Sequence, residues 1–236
     1  NQPWPVGAAG IDPFHSYADM FNGEDVIPSN PEWVWARYSA DLTAHTRTSF
    51  PAHLGGWNHC CVTQKVVDAY RMADGRNIDE STTQYPYSET GFTTAQKKFS
   101  GYRLNSGVYN MYNNREMRFY ASIGFSECFW PMTSTSTVGD YNQTITYYYD
   151  SPDGKQSNLI DFPLTGYVIK KFINPTDAWT GTNAKRLTKA YPMIRYADIL
   201  LMYAEALNHL TTTHTVQLGG ETFTLSRDVN EMRMAF

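Results

Sequence analysis

The residues best placed to do chemistry are aromatic rings set among polar neighbours. Trp33, Trp35 and Tyr38 fall in Pro31-Glu32-Trp33-Val34-Trp35-Ala36-Arg37-Tyr38, and Trp57-Asn58 follows Gly55-Gly56. An exposed ring offers a flat apolar face, and a nearby amide or guanidinium offers hydrogen bonds. Sugars have an apolar C–H face and hydroxyls, so they need both. Trp33, Trp35, Tyr38, Trp57 and Asn58 are therefore the candidate ligand-binding residues, expected on loops. On a helix, Trp33 and Trp35 would diverge by about 200°, so at most one could face a core. The Gly-Gly pair reads as a flexible approach to Trp57. Trp130 and Trp179 are weaker candidates. Tyr147-Tyr148-Tyr149 must send rings to both faces of a strand. For any single ring the competing reading is packing against the scaffold.

Other chemistries find less support. Asp19, Glu24 and Asp25 cluster near a helix end, where capping explains them better than the paired carboxylates of a glycoside hydrolase. Common nucleophile, zinc-protease, phosphate-loop and EF-hand motifs do not occur. His59-Cys60-Cys61 has no second spaced pair to complete a zinc site. With Cys128 the cysteines number three, an odd count that implies no disulfide framework. Frequent loop aspartates leave room for a structural calcium ion; no catalytic residue and no other cofactor is assigned.

Composition points the same way. The 236 residues carry 17 Tyr and 6 Trp, more polar-tipped rings than a core readily satisfies. The net charge of -4 and the lack of a basic run disfavour nucleic acid as a partner. Lys97-Lys98 and Lys170-Lys171 read as solvated surface. The chain has no run of 18 apolar residues to span a membrane.

The elements that must position these residues are short. Asp12-Pro13 starts a helix carrying Phe14, Tyr17 and Phe21 on one face, and Asn22-Gly23 stops it. Asn30-Pro31 is a similar start before Glu32–Tyr38. Thr63 caps a third helix with Val66, Val67 and Tyr70 inward, closed by Asp74-Gly75. Met117–Phe125, Gln143–Asp150 and Gly166–Ile173 read as short strands, and 151–157 as a loop. Tyr191–Leu210 is the strongest helix, apolar on most of its surface, so both sides should be packed and Leu201→Asp should disrupt folding. Thr215–Leu218 and Glu221–Leu225 around Gly219-Gly220 predict a hairpin with a primed turn.

Several of these segments resemble the SusD/RagB family. Tyr191–Asn208, Y-P-M-I-R-Y-A-D-I-L-L-M-Y-A-E-A-L-N, is similar to its most recognisable helix. Matches in the same order are Asn22–Ile27, Val66–Gly75, Asn113–Ala121 (with Glu116 and Met117 where the family usually has Asp and Pro) and Gly166–Phe172. Family members are about twice this length, with a tetratricopeptide-like helical half first. The resemblance therefore implies that residues 1–236 are the C-terminal portion of a single SusD-like domain, a fragment. The expected fold is mainly α with long loops and short β-hairpins. The resemblance also implies a lipoprotein on the extracellular face of the outer membrane. It would bind oligosaccharide and pass it to a TonB-dependent transporter, without catalysis, and touch the membrane only through a lipid anchor outside this chain. Arg195 and Asp198, one helical turn apart, are expected to form an ion pair or to pack against a neighbouring helix rather than to meet ligand. A tetratricopeptide-type protein-interaction scaffold is the alternative reading.

Overall fold

The computed structural model describes residues 10–24, 30–38, 40–135 and 138–235. The described elements run α1 (Pro13–Asn22), β1 (Trp33–Tyr38), α2 (Ala40–His45), α3 (Gln64–Ala69), β2 (Lys97–Phe99), β3 (Tyr102–Leu104), α4 (Met117–Ser122), β4 (Ile123–Gly124) and β5 (Cys128–Trp130). They continue with β6 (Gln143–Ile145), β7 (Val168–Ile169), β8 (Ala190–Arg195), α5 (Tyr196–His209), β9 (His214–Leu218), β10 (Glu221–Leu225) and α6 (Val229–Ala235). Short strands and turns share the chain with short helices, so the architecture is mixed rather than mainly α. It divides into two compact units, Asn1–Val26 with Tyr38–Ala190, and Ile27–Arg37 with Tyr191–Phe236.

The first unit holds an aromatic core. Strands β2, β3, β5 and β6 form an antiparallel sheet in that order. Phe50, Phe99, Phe119, Tyr120, Phe125 and Trp130 are enclosed, with rings meeting edge-on, tilted or stacked at 5.2–5.3 Å in the pairs Phe50–Trp130, Phe99–Tyr120 and Phe119–Phe125. Trp130 is core and leaves the list of ligand candidates. Asp12 caps α1 by accepting from the Phe14 and His15 amides at 2.9 and 3.0 Å, and Gly23 ends it with φ +91°, as the Asp-Pro and Asn-Gly pairs predict. Residues Asp25 to Ser29 of the Asn22–Ile27 stretch and beyond lie outside the described residues.

Three local expectations are overturned. Glu32–Tyr38 does not begin a helix: Trp33–Tyr38 is β1, paired with β8. Its Trp, Val and Tyr suit a pleated surface, and the pairing strand, distant in sequence, decides. Met117–Ser122 is helical, not extended; each of its residues except Arg118 is buried, so packing rather than propensity sets it. Thr63 is the first flanking residue of α3 but makes no side-chain cap, and the helix stops at Ala69. Arg115 accounts for the early stop. Its buried guanidinium donates to the Val67 and Tyr70 carbonyls at 2.6 Å each and to Met111 O at 3.1 Å, taking up carbonyls that a longer helix would use. Val67 is fully buried and Val66 half-exposed.

In the second unit, α5 begins at Tyr196 because Tyr191–Arg195 belongs to β8. The Arg195 amide donates to Asp198 Oδ2 at 2.9 Å, and their charged groups lie 3.6 Å apart, the ion pair that was one of the two arrangements expected of them. Only Leu207 of α5 is buried; Ile199, Leu201 and Met202 are exposed, so within this chain Leu201 is not a packed residue. Strands β9 and β10 pair antiparallel with Leu218 opposite Glu221. Gly219 and Gly220 have φ +61° and +85°, the two positive angles a type I′ turn requires.

Candidate functional site

Trp57 sits on a loop built for rigidity. The loop runs along Arg47–Phe50: the Trp57 amide donates to Arg47 O at 3.0 Å, Asn58 to Phe50 O at 3.1 Å and Cys60 to Thr48 O at 2.9 Å. Gly55 and Gly56 are not a flexible approach. Gly55 closes a 3-10 turn at φ +84°, and a Cβ on Gly56 would lie 2.0 Å from the Phe50 carbonyl oxygen. Asn58 adopts φ +51°, a left-handed conformation that Asn tolerates better than most residues.

Asn58 anchors this loop. It is fully buried, and its Nδ2 donates to Asp153 Oδ1 at 3.0 Å. Asp153, also enclosed, accepts from the His53 amide at 3.2 Å and faces His53 Nδ1 at 2.5 Å. A residue about 100 positions away in sequence thus holds the Trp57 turn in place. Trp57 itself is 39% exposed.

Rings and guanidiniums alternate beside it. The Arg47 carbon Cζ lies 4.9 Å from the Trp57 ring centre and 5.4 Å from that of Trp179, and Arg186 Cζ lies 4.7 Å from Trp179, within cation–π range. Arg47 Nε donates to Gly55 O at 2.8 Å, which fixes its plane. His59, 6.4 Å from Trp57 between ring centres, pairs through Nε2 with Asp161 Oδ1 at 2.8 Å. Leu159 and Ile160, just before Asp161, are exposed, as are Tyr148 and Tyr149, whereas the Tyr147 hydroxyl is buried and burial pushes its pKa well up. Trp57, Trp179, Arg47 and Arg186 together offer flat rings and guanidinium donors, which suit a ligand with a C–H face and hydroxyls.

The remaining candidates separate. Trp33 is buried at 8% exposure, and its Nε1 has no hydrogen-bond partner among the described residues; it is a packed ring. Trp35 is 61% exposed and belongs to the second unit. Tyr38 ends β1. Arg47, Asp161 and Arg186 carried no ligand signal in the sequence, since they meet Trp57, His59 and Trp179 only through folding. Cys60, Cys61 and Cys128 are free thiols. Among the described residues no group of three His, Cys, Asp or Glu could hold a metal ion, and no helix is long and apolar enough to cross a membrane.

Residues 31–231 match the SusD family model. The chain belongs to the SusD family. Its fold is shared with a SusD-like protein from Bacteroides fragilis NCTC 9343, at TM-score 0.55 and 23% identity over 94% of this chain. It is also shared with the protein BT4246, at TM-score 0.56 and 16% identity over 87% of this chain. The chain spans 37% and 36% of those two proteins. No curated protein sequence matches it. The SusD family is one of glycan-binding proteins of nutrient uptake, generally without catalytic activity and associated with the outer-membrane surface. Within this SusD-family chain, Arg115 of the family-like segment Asn113–Ala121 clamps the carbonyls of Val67, Tyr70 and Met111.

Proposed function

We propose that this chain supplies part of a glycan-binding surface. It belongs to an outer-membrane lipoprotein that passes oligosaccharide to a TonB-dependent transporter without hydrolysing it. The observation that carries the reading is Trp57, exposed on a loop braced by Asn58 and Asp153, with Arg47, Trp179 and Arg186 stacked alongside. A rigid ring loses little conformational entropy on stacking, and nearby guanidinium donors can meet hydroxyls. Trp35, exposed on β1, is a second contact point. The exposed Ile199, Leu201 and Met202 of α5 favour a second reading, a tetratricopeptide-type protein-interaction scaffold that presents this apolar helix face to a partner.

Calorimetric titration of the full-length protein with oligosaccharides tests the first reading. Trp57→Ala should weaken binding by about tenfold, roughly 1–2 kcal/mol of stacking, with the Tm nearly unchanged. Unchanged affinity would remove Trp57 from the site, and hydrolysis of the glycan would overturn the non-catalytic reading.

A further inference from the structure

The first unit contains a cavity of about 250 Å³ away from the Trp57 loop, between α1, the β2–β3 turn and the segment after β7. Its wall is mostly apolar, with Phe14, Ala18, Tyr102, Ala121, Pro131 and Ile173 contributing. Two lysines, Lys170 and Lys171, line it as well. Lys171 is accounted for: its Nζ lies 3.7 Å from the Phe21 ring centre and 5.4 Å from that of Tyr17.

Lys170 is not. Its side chain is 95% enclosed, since only 5% of the residue is exposed. Its Nζ is out of solvent contact and finds no hydrogen-bond partner among the described residues. What faces it is the Tyr102 ring, 4.4 Å to the centre, and the buried Cys128 thiol. The acidic group of the cavity, Asp19, is already engaged by His15 at 3.0 Å and by the Asn22 amide at 3.2 Å. An ammonium has three donors and is costly to bury without acceptors. Burial accordingly pulls the Lys170 amine down to about 8. A cation–π contact offsets only part of that cost.

We propose that this cavity is a binding site for a small apolar carboxylate, one ring or branched chain bearing a single acid group, with Lys170 as its counter-ion. The apolar wall takes the body of the ligand. A turn about the flexible lysine stem exchanges the Tyr102 face for the carboxylate oxygens. Lys171 adds a second positive charge at the wall. The site is separate from the Trp57 surface and does not depend on the glycan reading.

The test is calorimetric titration of the full-length protein with phenylacetate, its neutral amide phenylacetamide, and inorganic phosphate. Phenylacetate should bind about tenfold or more tightly than either of the others. Lys170→Met should abolish that preference, and Ala18→Met, which fills the cavity from α1, should weaken phenylacetate binding while leaving Lys170 in place. Trp57→Ala should leave phenylacetate binding unchanged. Failure of phenylacetate to bind, equal binding of acid and amide, or parental affinity in a folded Lys170→Met protein would each overturn the proposal. Phosphate binding as tightly as phenylacetate would overturn it too, by showing a general anion site.

Discussion

Lys170 and Lys189 are both removed from solvent within the first unit, and the two regions around them are built differently. Lys189 Nζ lies 3.0 and 2.8 Å from the two oxygens of Asp177, and both side chains are fully enclosed. Asp177 also accepts from the Leu187 amide at 2.9 Å and the Asn174 amide at 2.8 Å. Burial lowers the Lys189 pKa and raises that of Asp177, and their mutual attraction opposes both shifts. The pair closes the 174–189 segment on itself. Asn174 then carries the link onward to Asn22 and Glu24 at the end of α1, at 3.2 and 3.0 Å. Lys170 has a ring and a cavity instead of a carboxylate. A buried charge with its counter-ion in the fold is architecture; one whose counter-ion is missing from the described residues points to something that arrives.

The largest expected effect comes from breaking the closed pair. Asp177→Ala strands the Lys189 charge and two backbone amides, and should cost about 3–5 kcal/mol, read as a lower urea midpoint of the full-length protein. A loss under about 1 kcal/mol would show that water reaches Lys189 and would erase the contrast.

The same kind of deletion at Lys170 should have the opposite sign. Lys170→Met removes an unpaired buried charge and keeps the stem, so the ligand-free protein should gain roughly 1–3 kcal/mol. Destabilisation would mean that Lys170 is structural after all.

The smallest effect is the most diagnostic. The Lys170 amine falls to about 8 in the folded chain from the ordinary 10.5. Between those values the unfolded chain holds the proton and the folded chain does not, so stability from this residue rises with pH. The advantage of Lys170→Met should therefore be full below about pH 8 and fade toward about 10.5. Taking the difference between the two proteins cancels tyrosines that do not face Lys170, such as Tyr167. A difference that stays flat across this range would show that the amine is not perturbed.

Two adjacent lysines, Lys170-Lys171, read as solvated surface, yet in this fold Lys170 is buried. β7 pairs with β4, Ile169 opposite Ile123, and the Lys170 amide donates to Ser122 O at 2.6 Å. That pairing turns the first lysine into the core and leaves the second at the edge. The same limit applies to the candidate site. Trp57 is visible as a ring in a Gly-marked turn, but the sequence does not show that Asn58, its neighbour, is enclosed and tied to Asp153. Nothing near it in sequence announces Asp153.

What the sequence alone determined was local or familial. Asp12-Pro13 and Asn22-Gly23 bound α1, Gly219-Gly220 turns the β9–β10 hairpin, and Arg195 meets Asp198 within one turn, because each depends on backbone geometry over a few residues. The segment Tyr191–Asn208 carried the family resemblance that the match over residues 31–231 bears out. Tertiary structure alone decided that Trp33–Tyr38 is a strand, that Met117–Ser122 is a helix, and that Trp33 and Trp130 are packed. It alone brought Arg47 and Trp179 to Trp57, and left Lys170 without the carboxylate that Lys189 has. The physical reason is common to all of these: each is fixed by partners tens of residues away, and desolvation by those partners outweighs the propensities a short window can show.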